Sequence, residues 1–491
     1  MRRFLPFSLL VLVSTACSTV DAPPALTQAQ DSWFDSGAAA IQERVAHRPN
    51  YARAKNVILF LGDGMGISTV TATRIFDGQS RGERGEENFL PFERFPHTAL
   101  VKTYNANQQV ADSAGTASAI NTGVKTRAGV FGISAEARRA NCAEALAHAV
   151  PTLAEQAKAR GMAVGVVTTA RLTHATPGAV YAHTAERNWE ADTDMPEDAL
   201  EKGCRSIARQ LVEFAPVGVA RGGLDVALGG GYDKFGADLI NAWQARFPNG
   251  IVVRTGEALD ELKTAKTVQV LGLFSPSHMT YMQDRTPETA EPTLSQMTAK
   301  AIDILSRRGT GYYLMVEGGR IDHAHHEGTA DKALREAQEF AHAIKVALDK
   351  VDLNDTLILV TADHSHVFTI AGYPARGNPI LGLAMGNDHH GNPTGQPIMA
   401  TDGKPYTTLG YHNGPGAVMG ERPAPSLEPG ARQQALVPTG SVFNNDVHLA
   451  ETHGGEDVAL YAAGPWSHLA AGVMEQHAIY HLMVHALGWD Q

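Results

Sequence analysis

The chain has 491 residues, of which 43% are hydrophobic and 19% charged, and its formal net charge is −11. It is long enough to bury a large core, and its acidic balance argues against a surface built for nucleic acid or an anionic membrane. An anionic substrate would have to be attracted locally, by bound cations.

At the N-terminus, Arg2 and Arg3 precede an apolar stretch from Phe4 to Val13 and then small residues. This reads as a signal peptide over residues 1–16, too short to span a membrane. Cys17, after Ser14-Thr15-Ala16, reads as a lipidation site, although ordinary cleavage after Ala16 fits the same small residues. The expected location is export, to the periplasm or as an outer-membrane lipoprotein. Residues 17–50 would form a tether and N-terminal segment, and residues 51–491 one folded body. Its cysteines are Cys142 and Cys204, which in an exported protein point to a pair; two buried free thiols are the other reading.

Along that body, apolar β-branched runs predict strands at Asn56–Leu61, Ala163–Thr168, Asp225–Leu228, Val268–Phe274, Tyr312–Val316, Thr356–Thr361 and Ala459–Ala462. Amphipathic stretches predict helices at Pro151–Arg160, Asp198–Phe214, Phe235–Arg246, Thr293–Arg308, Thr329–Lys350 and Val473–Leu487. The alternation predicts an α/β fold with a doubly wound, mostly parallel central sheet flanked by helices. Between about 371 and 447, Gly and Pro recur without a long periodic segment, which predicts a loop-rich inserted subdomain.

Several predicted strands end in chemistry. The first runs NVILFLGDGMG and delivers Asp63 between two glycines; alone, such an Asp is a turn former or helix cap. The run GYYLMVEGGRIDHAHHE delivers Glu317, Asp322, His323, His325 and His326, and DTLILVTADHSH delivers Asp363, His364 and His366. Carboxylates and imidazoles recurring at strand ends point to one polynuclear metal site, since parallel sheets place ligands there. Asp322 and His326 stand four apart, so one helical turn would present both on one face.

Other polar segments complete the pattern. Ser113, in DSAGTASAINTG, sits where a helix begins; it is an N-cap by itself, or a nucleophile if a metal ion activates it. THATPGAVYAHTAERNW offers Thr176 and Arg187, whose guanidinium fork suits two phosphate oxygens, and ETHGGEDV places His453 in a glycine-flanked turn. His389 and His390, in the insert, read as solvated loop histidines.

Taken together and in order, FLGDGMG, ADSAGTASA, VVTTARLTHATP with AHTAERNW, VEGGRIDHAHH, VTADHSH and ETHGGEDV resemble the alkaline phosphatase family from about residue 55 to 490, closer to its animal and related bacterial branch. The resemblance implies hydrolysis of small phosphate monoesters through a phosphoserine on Ser113, with Arg187 as the phosphate clamp and an alkaline pH optimum. It implies two Zn2+ and one Mg2+ per subunit. One zinc would take Asp322, His326 and His453, the other Asp63, Asp363 and His364, and magnesium Asp63, Thr176 and Glu317. His323 and His366 would orient ligands or approach the phosphate, and His325 is as well explained by structure. The family pattern also supports a Cys142–Cys204 disulfide, a homodimer and the insert as a variable crown-like subdomain. Met282 stands where animal members would offer a calcium carboxylate, so calcium is not expected. A phosphodiesterase or sulfatase of the same superfamily is the first alternative; Thr176, Glu317 and Arg187 speak for monoesters, and ADSAGTA lacks the sulfatase Pro and Arg. A non-catalytic phosphate- or metal-binding protein is the second, and it would be expected to lack a nucleophile or ligand.

Overall fold

The computed structural model describes residues 31–216, 222–264, 269–443 and 446–490. The signal peptide at 1–16, Cys17 and the tether to residue 30 lie outside the described residues, as does Val268 at the start of one predicted strand. Before Pro49 the described chain is a unit by itself, the helix Ser32–Ala46, with every residue exposed and Asp31 as N-cap, accepting Trp33 N–H at 2.7 Å.

From Pro49 onward, ten strands build one sheet: β1 (Asn56–Gly62), β2 (His97–Lys102), β3 (Ala163–Arg171), β4 (Val226–Gly230), β5 (Ile251–Val253), β6 (Val270–Leu273), β7 (Tyr312–Gly318), β8 (Thr356–Ala362), β9 (Val458–Ala463) and β10 (Gly472–Glu475). Their order is β10-β2-β9-β8-β1-β7-β3-β4-β6-β5. From β8 to β5 every neighbouring pair is parallel, whereas β9 opposes both β8 and β2. The central strands β1, β7 and β8 are buried nearly throughout, which is why they are written as unbroken apolar runs and not as alternating ones.

Helices cover both faces. The β1–β7 register sets Phe60 opposite Val316, three positions from Tyr313, so Phe60 and Tyr313 point to opposite sides. Phe60 packs edge-on against Phe340 of the helix Ala330–Lys350 at 5.9 Å between ring centres. Tyr313 donates its hydroxyl to Asn121 Oδ1 of the helix Ser113–Thr122 at 2.7 Å.

Two predicted helices are corrected. Val473–Leu487 divides: Gly472–Glu475 pairs with β2 as an edge strand, and the helix occupies Ala478–Ala486. Asp198–Phe214 breaks into Glu197–Glu201 and Ile207–Glu213, because Gly203 turns with φ 94° and Ser206 starts a new helix by accepting Arg209 N–H at 3.2 Å. The insert holds short strands, among them a hairpin of Met385–Asn387 with Pro393–Pro397, and no helix among the described residues.

Beside the broken helix, Cys204 is disulfide-bonded to Cys142, 62 residues away, with 5.9 Å between their Cα atoms. Replacing both cysteines by alanine is expected to cost about 2–4 kcal/mol through the freed unfolded chain. An unchanged denaturant midpoint for the double variant would reject that role.

Candidate active site

Topology gathers the strand-tip residues. β1 lies between β7 and β8, and the register aligns Leu61 with both Glu317 and Thr361. Asp63, Glu317 and Asp363 therefore emerge at the same end of three adjacent strands. β3, next in the sheet, pairs Thr168 with Glu317 and leads to the helix Ala175–Tyr181, which carries Thr176. After β7, the helix Arg320–His326 presents Asp322 and His326 one turn apart. His453 arrives from far along the chain, where His453-Gly454 pairs antiparallel with Ser365-His366.

Gly64 makes the turn after Asp63. Its φ is +67°, its N–H donates to Asp363 Oδ1 at 3.0 Å, and a Cβ there would meet His366 Nε2 at 2.3 Å. The position admits only glycine.

Ser113 is the first residue of its helix and not the cap. Asp112 is the N-cap, accepting Gly115 N–H at 3.2 Å and Gly129 N–H at 2.9 Å. The Ser113 side chain is thus released from capping: its Oγ lies 3.3 Å from Asp63 Oδ1 and 3.1 Å from His364 Nε2. Asp112 also holds Arg187, whose Nη1 is 3.1 Å from Asp112 Oδ2 and whose Nη2 is 3.3 Å from His174 Nε2.

Three imidazoles are set up alike. The Nδ1–H of His326 donates to Glu451 O at 2.7 Å, that of His453 to Ala111 O at 2.7 Å, and that of His364 to Ser365 O at 3.2 Å. A carbonyl can only accept, so Nδ1 holds the hydrogen and the lone pair of the neutral ring sits on Nε2. Those lone pairs face acceptors. His326 Nε2 and His453 Nε2 stand 3.4 Å from Asp322 Oδ1 and 3.1 Å from each other, while His364 Nε2 stands 3.4 Å from Asp63 Oδ1 and from Asp363 Oδ2. Lone pairs converging at these distances repel unless a cation lies among them. Backbone-anchored Nδ1–H with an inward Nε2 is the arrangement that orients metal-binding histidines.

The carboxylates tell the same story. Burial and the charges of Asp363, Asp322 and Glu317 raise Asp63 well above the carboxylate range. Burial pushes Glu317 up to about 8 and Asp363 to about 6. Glu317 Oε1 and Asp363 Oδ2, both shielded from solvent, find no hydrogen-bond donor among the described residues, although Thr168 Oγ1 donates to Glu317 Oε2. Asp322 is the exception: burial works against it, but the imidazoles of His326, His366 and His453, when they carry a proton at Nε2, hold it well below its ordinary value. The donor set therefore fits divalent cations: two clusters of imidazole and carboxylate suit zinc, and Asp63 with Glu317 and the Thr176 hydroxyl, 3.5 Å from Asp63 Oδ2, suits magnesium.

The remaining histidines separate by contact. His325 is fixed between Thr69 Oγ1 at 3.0 Å and the Tyr411 hydroxyl at 2.8 Å, a structural setting. His323 lies in a cluster with His174 and His278, 5.3 and 4.1 Å between ring centres, on the Arg187 side of the site. His366 touches Asp322, and His389 and His390 are exposed. Sequence reasoning passed over His174, two residues before Thr176 and within ligand distance of Asp63 and Glu317, and Glu451, two residues before His453. Both lie inside the motifs quoted above, where proximity to a ligand was the available signal.

The family model described as alkaline phosphatase matches residues 54–489. The chain is 44% identical to the tissue-nonspecific isozyme of alkaline phosphatase from Gallus gallus, over 97% of this chain and 93% of that one. It is 45% identical to the alkaline phosphatase of Gadus morhua over 89% and 92%. Among solved structures, alkaline phosphatase from Thermus thermophilus superposes with a TM-score of 0.63 at 22% identity, covering 90% of this chain and 92% of that one. The enzyme from the Antarctic bacterium TAB5 superposes with a TM-score of 0.60 at 22% identity, over 89% and 100%, so the fold is shared at low identity.

Proposed function

The chain belongs to the alkaline phosphatase family and is a phosphatase acting on phosphate monoesters, and we propose that it works through a phosphoserine on Ser113 at a two-zinc, one-magnesium centre. The observation that carries this reading is the convergence of three Nε2 lone pairs on buried carboxylates beside a serine freed from capping. In this reading Asp322, His326 and His453 hold one zinc, Asp63, Asp363 and His364 the other, and Asp63, Thr176 and Glu317 the magnesium.

When bound, the cations supply positive charge that favours the Ser113 alkoxide and stabilises the leaving oxygen. Ser113 Oγ attacks phosphorus, the ester P–O bond breaks, and the alcohol leaves. Water then attacks the phosphoserine, the Oγ–P bond breaks, and inorganic phosphate departs with the serine restored. Arg187, held by Asp112, offers its guanidinium to the non-bridging oxygens through both steps, with His174 against it and His323 next to His174. Deprotonation of serine and water sets an alkaline optimum. We extend the proposal to an exported homodimer, lipid-anchored through Cys17; sedimentation, and membrane fractionation of Cys17→Ser, test these two parts.

The functional test compares hydrolysis of an aryl phosphate monoester, the matching diester and the sulfate ester, after chelation and after return of zinc and magnesium. Monoester preference restored in full only by both metals is expected. A diester preference, or indifference to magnesium, would move Thr176, Glu317 and Arg187 out of these roles and favour a superfamily diesterase. Separately, Arg187→Ala is expected to weaken inhibition by inorganic phosphate about tenfold to a hundredfold, the worth of a charged hydrogen bond. Unaltered inhibition would show that the clamp lies elsewhere.

A further inference from the structure

Glu451 is buried, 1% exposed, and no step above uses it. Its carboxylate Oε1 accepts Val367 N–H at 2.7 Å, and its Oε2 lies 2.5 Å from His366 Nδ1. The other nitrogen of that ring, His366 Nε2, lies 2.8 Å from Asp322 Oδ1. One ring nitrogen of His366 therefore meets each carboxylate. The ring is buried and clamped between Glu451 and Asp322. The main chain of residue 451 grips a second ligand: its N–H donates to His326 O at 3.0 Å and its C=O accepts His326 Nδ1–H at 2.7 Å.

We propose that Glu451 is a positioning residue: its side chain fixes Asp322 through His366, and so sets how tightly the Asp322–His326–His453 site holds its cation. The inference rests on the two-zinc reading above. It has a physical cause in that Asp322 needs one oxygen aimed at the metal; a charge-assisted hydrogen bond from a ring that cannot turn holds the carboxylate plane. The main-chain grip on His326 survives any side-chain change at 451, so substitution there isolates the path through His366.

The test is zinc retention by the holoenzyme against a graded chelator, in wild type, Glu451→Ala and Glu451→Gln. The alanine variant is expected to lose one of two zincs at roughly 10- to 100-fold less chelator, the usual effect of removing a partner behind a ligand. The glutamine variant, whose amide can donate to a neutral His366 while Nε2–H still meets Asp322, is expected to lie between. In a cycle with His366→Asn, the two changes are expected not to add. Equal weakening of both zincs, or none, overturns the proposal. If the alanine variant does not fold, the glutamine variant and His366→Asn decide: each is expected to lose one zinc at less chelator than wild type, and retention as in wild type overturns it. A wild type that binds no zinc would remove the two-zinc reading itself, a result distinct from zinc that binds and ignores Glu451.

Discussion

Replacing Ser113 by alanine is expected to cut turnover of an aryl phosphate monoester by roughly a thousandfold or more while inorganic phosphate still binds. The size follows from losing the attacking atom, which no neighbour replaces: the groups around Ser113 Oγ are the Asp63 carboxylate and the His364 imidazole, both committed to metal in the proposed reading. The fold should tolerate the change. Asp112, not Ser113, caps the helix, and alanine has the highest intrinsic helix propensity. Quench trapping of a phosphoprotein from labelled substrate should succeed with wild type at acid pH and fail with the variant. A variant that still forms labelled protein, or turns over within tenfold of wild type, would end the nucleophile assignment.

Removing the metals is expected to abolish activity and to destabilise the fold. A ligand present at a thousand times its dissociation constant stabilises the native state by about 4 kcal/mol, and this site would hold three ions. The stripped protein should also acquire a distinctive pH dependence. Glu317 and Asp363 have native values raised to about 8 and about 6, above their ordinary values of 4.5 and 3.8. A raised carboxylate means that the native state binds more protons than the unfolded one, so stability falls as pH rises. The contribution is fully present below about pH 4 and is lost by about pH 8 as Glu317 ionises. Below the ordinary histidine value of 6.5 the buried neutral rings of His323 and His326, held down to about 3 and about 4, work the other way, so thermal melting of the chelated protein should decline in the upper part of that window, from about pH 6.5 to 8, and Glu317→Gln should flatten that decline. With metals restored, the decline should vanish, because the cations compensate the same charges. A chelated protein whose melting temperature rises over this range would contradict the charge-crowding account.

Much of the site was legible because buried parallel strands are written plainly. Continuous apolar runs located β1, β7 and β8, and the residues after them became ligand candidates without any knowledge of pairing. Edge strands were not legible in the same way. β2 alternates exposed and buried positions, β5 has three residues, and β10 merges into an amphipathic stretch that continues as a helix. The helix break at Gly203 depends on a backbone φ, and glycine inside a helical pattern has several meanings. Ser113 looked like a cap because serine commonly is one; only the Asp112 contact to Gly115 separates cap from first residue. Glu451 stayed hidden for a different reason. A glutamate near glycines looks solvated, and its imidazole partner lies 85 residues earlier in the chain.

The span of the site along the chain has a consequence for biogenesis. Its side chains run from Asp63 to His453, and the last arrives only when residues 453–454 zip against 365–366. Asp322 and His326 are near neighbours, as are Asp363 and His364, but no contiguous stretch contains a whole set of the ligands proposed above. A chain still being made therefore offers a passing cation at most two adjacent members of either proposed zinc set. In the proposed reading the cradle of Asp322, His326 and His453 is complete only once that farthest turn closes, so a held ion would certify a finished molecule, and a chain shortened before residue 453 would lack its third ligand.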